Sequence, residues 1–104
     1  SIVSNKILTL KDNFYWDIDK NILFNKKDEV SLTKTEKDIL SFIFKIGQKK
    51  DIVTYENIAF SLWNDYDDAI LQSIKTFISG LRKKLPKDTI LNAYGEGYKL
   101  GANH

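Results

Sequence analysis

The chain has 104 residues, 42% of them hydrophobic, and a formal net charge of +2, which suits one globular domain and is weak evidence for a polyanionic partner. The sequence has no Cys, which excludes disulfides and cysteine-based zinc sites. Its one His is the last residue, His104, which argues against a histidine metal site or a Ser-His-type triad.

The first third of the chain predicts an antiparallel meander of four short strands. Apolar and aromatic residues cluster in four runs separated by Asn, Asp and Lys: 7–10, 14–18, 22–24 and 29–32. β-branched and aromatic runs bounded by turn-forming residues favour strands joined as hairpins. Such a sheet is stable only when another element packs on one of its faces.

Two helices are predicted next, each with its own start signal. Thr33 can cap the first helix, with Glu36 at the third helical position completing a capping box, and Gly47 ends it. A short extended segment at 52–53 leads to Thr54, which is expected to cap a second helix ending at about Trp63.

A third helix is predicted from about 69 to 85, capped by Asp67 or Asp68 and stopped by Pro86. Its apolar residues form one stripe: Ile70, Ile74, Phe77, Ile78, Leu81 and Leu85. The remaining face is small, polar and basic: Gln72, Ser73, Lys75, Thr76, Ser79, Gly80, Arg82, Lys83 and Lys84. Charge alone favours an ordinary solvated face. Ser, Thr and Gly are poor helix formers, however, so their use there shifts the interpretation toward a helix that enters a major groove.

The segment from Ile90 to Leu100 predicts a tight hairpin with positive φ at Gly95, Gly97 or both. A dinucleotide-binding fingerprint needs a third Gly that opens a helix, whereas a strand follows here. A nucleotide site is therefore disfavoured.

The sequence shows no catalytic machinery, because it lacks an internal His, any Cys and clustered carboxylates with basic partners in an apolar pocket. We therefore expect a protein that is not an enzyme and needs no cofactor or metal. Nothing reads as a signal peptide, and no apolar run approaches the roughly 18 residues of a membrane span. We expect a fragment of a longer cytoplasmic protein with no membrane partner.

In this order of elements the chain resembles the C-terminal effector domain of response regulators of the OmpR/PhoB type. Four motifs carry the resemblance: Leu32-Thr33-x-x-Glu36-x-x-Ile39-Leu40, Ala59-x-x-Leu62-Trp63, Ile78-Ser79-Gly80-Leu81-Arg82-Lys83-Lys84-Leu85, and Ile90 with Gly95-x-Gly97-Tyr98-Lys99-Leu100. The fold that it implies is an α+β winged helix-turn-helix domain over residues 1–104. Its parts are a three-helix core, an N-terminal four-stranded antiparallel sheet and a C-terminal β-hairpin wing.

The resemblance implies a transcription regulator of a two-component system that binds double-stranded promoter DNA sequence-specifically, usually as a head-to-tail homodimer on direct repeats. The recognition helix, about 69–85, is expected in the major groove and the wing, about 90–100, on the minor groove or backbone. Further implied partners are RNA polymerase and a sensor kinase, the latter acting through a receiver domain that these 104 residues do not include. The competing interpretation is a winged-helix module whose positive helix binds an acidic protein partner.

The resemblance also assigns positions. Those that face bases are Ser73, Lys75 and Thr76; those near phosphates are Gln72, Ser79, Arg82, Lys83 and Trp63. The wing positions are Asn92 and Tyr94, both expected at its tip, and Lys99. The loop that contacts polymerase is Asn64, Asp65, Tyr66 and Asp67, for which simple helix capping is the alternative.

Phe77 also falls near phosphates by the resemblance, but its place on the apolar stripe favours the core, and Trp63 and Tyr98 have the same structural alternative. Many family members carry Asp at position 75 and Arg at positions 80 and 94, where this chain has Lys75, Gly80 and Tyr94. We expect the same docking mode with a different sequence preference.

Overall fold

The first sheet is an antiparallel meander of β1 (Ile7–Thr9), β2 (Phe14–Asp17), β3 (Ile22–Asn25) and β4 (Asp28–Glu29) in the computed structural model, which describes residues 6–101. Leu8, Trp16 and Leu23 lie opposite one another across three strands, and Trp16 and Leu23 are buried. One face of the sheet therefore contributes to the core. The ends of the predicted domain, 1–5 and 102–104, lie outside the described residues.

The four-stranded meander is confirmed, although its last strand differs from the predicted 29–32. Asn25 already pairs with Asp28 across a two-residue turn, and Lys26 in that turn has a φ of 57°. β4 consequently begins one residue early. It ends at Glu29, and after one further bond from the Val30 amide to the Leu23 carbonyl (2.8 Å) the chain turns toward Thr33, the cap of the first helix.

The helices are α1 (Lys34–Gly47), α2 (Tyr55–Trp63) and α3 (Asp68–Lys84), and each is capped by the residue type that the sequence predicted. At α1 the Glu36 amide donates to Thr33 Oγ1 (3.2 Å) while the Thr33 amide donates to Glu36 Oε1 (2.9 Å), a complete capping box. Thr54 and Asp67 accept from the amides of Asn57 and Ile70 at 3.0 and 2.8 Å. The helices therefore start where side chains satisfy their free amides.

The second sheet has the order β5-β7-β6, made from β5 (Val53–Thr54), β6 (Ile90–Ala93) and β7 (Gly97–Leu100). The predicted hairpin, β6 with β7, is confirmed and is the wing; β5 joins its inner edge. A Cβ on Gly97 would collide with the Val53 carbonyl oxygen and with Thr54 Cα, so only glycine lets β5 and β7 approach this closely. Gly95 has a φ of 76° and forms the turn.

The core lies between the three helices and both sheets. Its largest fully buried side chains include Trp16 and Phe44, whose ring centroids are 5.4 Å apart. From α3, Ile74, Ile78 and Leu81 are buried and Phe77 packs against them half-buried, as its place on the apolar stripe predicts. The stripe therefore fixes which face of α3 points outward. Among residues 6–101, no helix has the length and apolar character needed to cross a membrane.

Candidate nucleic-acid interface

The outward face of α3 is open. Its exposed side chains include Gln72, Lys75, Thr76, Ser79, Arg82 and Lys83, and Ser73 is half-buried. The Thr76 hydroxyl donates to the Gln72 carbonyl at 3.0 Å, which satisfies it within the helix. The exposed face is polar and basic as predicted, with the short side chains of Thr76 and Ser79 between the positive charges.

A groove separates α3 from the wing and brings together six of the residues predicted to contact DNA. They are Lys75, Ser79, Arg82 and Lys83 on α3, and Asn92 and Tyr94 on the wing. Tyr55, Tyr66 and Tyr98 also line it. We call this surface, with the outward face of α3, the helix–wing surface.

Two cations and two rings line the groove in a row, which we call the tyrosine ladder: Lys75, Tyr55, Tyr98 and Arg82. Lys75 Nζ lies 5.7 Å from the Tyr55 centroid, and Arg82 Cζ lies 5.5 Å from the Tyr98 centroid. The two rings meet edge to face at 5.4 Å. Both separations between cation and ring fall within the range of cation–π attraction. The ladder therefore links α3 to α2 and to the wing.

The sequence did not indicate the role of Tyr55 in the ladder, and it indicated that of Tyr98 only in part. Tyr55 is the first residue of α2, directly after the predicted cap Thr54, and no spacing pattern in the sequence marks a ring that contacts a lysine from another helix. Tyr98 was expected to anchor the wing in the core, and it is 3% exposed. Burial raises the pKa of Tyr98 to about 12, with Tyr55 adding to the rise and Arg82 opposing it, so the phenol stays neutral at neutral pH.

Arg82 is bonded to the wing. Its Nε and Nη2 donate to the Ile90 carbonyl oxygen at 3.1 and 2.9 Å, and Nη2 also donates to Asn92 Oδ1 at 2.9 Å. Arg82, which was predicted to face phosphates, is exposed, but most of its N–H groups already donate hydrogen bonds to the wing.

The other flank of α3 faces α1. Lys84 Nζ lies 2.8 Å from Glu36 Oε1, and a Cβ on Gly80 would come within 3.3 Å of Glu36 Oε2. Burial raises the pKa of Glu36, but the hydrogen bonds from Lys84 and Thr33 and the charge of Lys84 outweigh it and hold the pKa below its usual 4.5. Of the three consecutive basic residues 82–84, Lys84 is therefore engaged in an ion pair within the protein.

One predicted residue lies away from its expected position, and Lys99 and Trp63 do not line the groove between α3 and the wing. Asn92 is within β6 opposite Tyr98, so the expectation that it lies at the wing tip is wrong; the tip is 94–96, where Tyr94 is 89% exposed. Lys99 pairs with Leu91 and projects from the other face of the hairpin, because successive strand residues alternate. Trp63 packs half-buried against the core and lines a separate groove beside α1.

The loop between α2 and α3 is built by its own polar side chains. Asn64 ends α2 in the left-handed region at a φ of 56°, Asp65 Oδ1 accepts from the Tyr66 amide at 2.7 Å, and Asp67 caps α3. The expected capping role of Asp67 is confirmed. Tyr66 is half-buried, and its pKa is raised by burial and by the nearby acids Glu56 and Asp68.

Comparison with known proteins identifies one matching family and several solved structures with a similar fold. The family model described as transcriptional regulatory protein, C terminal, matches residues 27–100. Sensory transduction protein BceR of Bacillus subtilis (strain 168) is 39% identical over an alignment of 88 positions that covers 79% of this chain and 36% of BceR. The chain thus spans about a third of that relative.

Two solved structures illustrate the shared fold. Response regulator DrrB, a Thermotoga maritima OmpR/PhoB homolog, superposes with a TM-score of 0.75 at 23% identity over 94% of this chain and 45% of DrrB. The DNA-binding domain of response regulator AdeR, in complex with an intercistronic region, gives a TM-score of 0.65 at 28% identity over 89% of this chain and 98% of that one.

Proposed function

This chain belongs to the family of C-terminal effector domains of OmpR/PhoB-type response regulators, and we propose that it binds double-stranded promoter DNA sequence-specifically. The observation that carries the proposal is the helix–wing surface, where the open face of α3 and the exposed wing tip flank one groove. The complex of the AdeR domain with an intercistronic region supports it.

α3 is proposed to enter the major groove. Its 17 residues make a rod of about 25 Å at roughly 1.5 Å per residue, and a major groove about 12 Å wide admits a helix. Short side chains at Ser73, Thr76 and Ser79 let the backbone approach the base edges. Lys75 is the long donor among them, and a lysine favours the O6 and N7 acceptors of guanine.

Phosphate contacts are proposed to flank this entry. Gln72, Ser79 and Lys83 are exposed along α3, and Arg82 adds positive charge on the side of the wing. Trp63 is included by its position in the family, with its ring half-buried at the end of α2. Contacts of this kind position the protein without reading sequence, so they supply affinity that falls as salt rises.

The wing is proposed to lie along the neighbouring minor groove or backbone. Tyr94 at the tip offers an aromatic ring, which can pack on sugars or wedge at a base step. Asn92 stands on the groove side and Lys99 on the opposite face, where it can meet the backbone. Because Tyr94 is neutral, its contact should depend little on salt.

The whole protein is proposed to be a response regulator that also contains a receiver domain, through which a sensor kinase acts. Its further proposed partners are a second copy bound to direct repeats and RNA polymerase. The exposed side chains of Asn64, Asp65 and Asp67, with Tyr66, form the proposed contact with polymerase. Asp67 can serve both roles, because capping uses one oxygen of its carboxylate.

The proposal is tested by selecting bound sites from random duplexes and measuring their affinity by fluorescence anisotropy. We expect an enriched motif, repeated at a spacing near one helical turn, and at least a tenfold loss of affinity in Lys83→Glu. The matched control is Lys27→Glu, an exposed lysine in the turn between β3 and β4, which should change affinity by less than threefold. Failure to enrich any sequence, with binding to an acidic protein instead, would favour the protein-interaction module.

A further inference from the structure

We propose that Arg82 is a positioning residue that fixes the wing against α3, so that helix and wing tip meet DNA as one preformed surface. The inference rests on the proposed function, because it concerns how the two DNA-binding elements are held together. It starts from the hydrogen bonds of Arg82, which all reach across to the wing strand β6.

β6 needs such a support because it is the outer strand of the sheet order β5-β7-β6. One side of its backbone therefore has no neighbouring strand, and unpaired edge groups are a liability. Arg82 supplies the missing donor on that side, since the Ile90 carbonyl accepts from both Nε and Nη2. The third bond, to Asn92 Oδ1, reaches a side chain two residues before Tyr94 at the tip.

The two tyrosine rings beneath Arg82 limit where its guanidinium can lie. Arg82 lies over Tyr98 of β7, and Tyr98 meets Tyr55 of α2. Tyr98 is 3% exposed and cannot move without disturbing the core, so the guanidinium is held between a fixed ring and a strand edge. Wing and recognition helix are therefore joined at a defined distance.

Only arginine can make this set of contacts. The guanidinium is a planar fork whose neighbouring donors meet acceptors simultaneously and whose face lies on a ring. A lysine at position 82 would keep the positive charge, concentrated on one ammonium group. It would lose the pair of hydrogen bonds that Arg82 donates to the Ile90 carbonyl oxygen. The substitution Arg82→Lys therefore removes the hydrogen-bond geometry and keeps the charge, whereas Arg82→Ala removes both.

Motion of β6 and the wing tip, which the buried Tyr98 of β7 does not itself prevent, has a consequence for binding. A mobile tip must be ordered when it meets DNA, which reduces affinity, whereas a preformed one has already lost that freedom. The contact of Tyr94 should consequently depend on Arg82, while the contact of Lys83, an exposed neighbour on α3, should not.

The first test needs no DNA. Amide hydrogen exchange of the free domain is measured in wild type, Arg82→Lys and, as a matched control, Lys83→Arg. We expect exchange of the amides at 91–97 to accelerate at least tenfold in Arg82→Lys and to stay within twofold in Lys83→Arg, with α1 unchanged in both. Asn92→Ala, which leaves α3 intact, should accelerate the same amides by less. Unchanged wing exchange in Arg82→Lys would overturn the inference.

The second test uses a duplex from the site selection and the dependence of its Kd on salt. We expect Arg82→Lys to weaken binding about tenfold with an unchanged salt slope, while Lys83→Ala reduces the slope by about one. Tyr94→Ala should weaken binding much less in the Arg82→Lys background than in wild type. Additive effects, or wild-type affinity in Arg82→Lys, would show that Arg82 acts only as a charge. If wild type binds no duplex the proposed function fails, and hydrogen exchange still decides the role of Arg82.

Discussion

The ion pair between Lys84 and Glu36 ties the last turn of α3 to the first turn of α1, and removing one partner should measure what it contributes. The Glu36 side chain is 8% exposed and the Lys84 side chain 36% exposed. Breaking a fully buried pair from one side costs about 3–5 kcal/mol. Since water reaches Lys84 and screens the pair, we expect Lys84→Met to lower the free energy of unfolding by about 2 kcal/mol.

The assay is urea denaturation, monitored by circular dichroism at pH 7. A loss of about 2 kcal/mol corresponds to a fall in Tm of roughly 10 °C for a domain of this size. The control is Lys83→Met, which removes the same charge from the next, exposed position and should stay within about 0.5 kcal/mol of wild type. Equal effects of the two variants would refute the argument, because net charge rather than the pair would then account for the loss.

The pH dependence gives a second check on the same pair. The pKa of Glu36 is lower in the folded protein than its usual 4.5, so the folded state favours the ionised carboxylate. The resulting stability is complete above about pH 5 and is lost as pH falls through the lowered pKa. Glu36→Gln keeps the capping geometry but removes the charge. Its deficit relative to wild type should therefore shrink below pH 4.5, and a deficit that grows with acid would contradict this reasoning.

Three further predictions concern the wing and α3. Gly97→Ala should lower the free energy of unfolding by about 1–3 kcal/mol in urea denaturation, because its Cβ would displace the backbone of β5; a neutral result would mean that β5 can move aside. Thr76→Ala should alter the enriched motif at one or two base pairs in repeated site selection, and an identical motif would remove Thr76 from the base-reading set. Lys83→Gln should weaken enriched and random duplexes by the same factor in anisotropy titrations; selective loss on the enriched duplex would assign Lys83 to the bases instead.

Much of the fold was predictable because its signals are local. Thr33 with Glu36, Thr54 and Asp67 each satisfy amides within three residues, so the helix starts are visible in a short stretch of sequence. Pro86 likewise bounds α3: Leu85, the residue before it, is extended, which ends the helix at Lys84. The apolar stripe then separates the buried and open faces of α3 by spacing alone.

The candidate site was less predictable because its contacts join distant segments. Lys75 with Tyr55 and Arg82 with Ile90 are pairs that no periodicity connects. Position in the family placed Arg82 near phosphates, and only the coordinates show its donors turned to the wing. The pairing of β5 with β7 was similarly invisible, since two residues at Val53 and Thr54 are too few to carry a strand pattern.

Duplex DNA is proposed to bind at the helix–wing surface. Titrating the isotope-labelled domain with an enriched duplex, and following amide chemical shifts by NMR, tests this proposal most directly. The largest changes are expected at 72–83 and 92–96, with little change along β1 to β4. Shifts concentrated on the four-stranded sheet, with α3 and the wing tip unaffected, would contradict it.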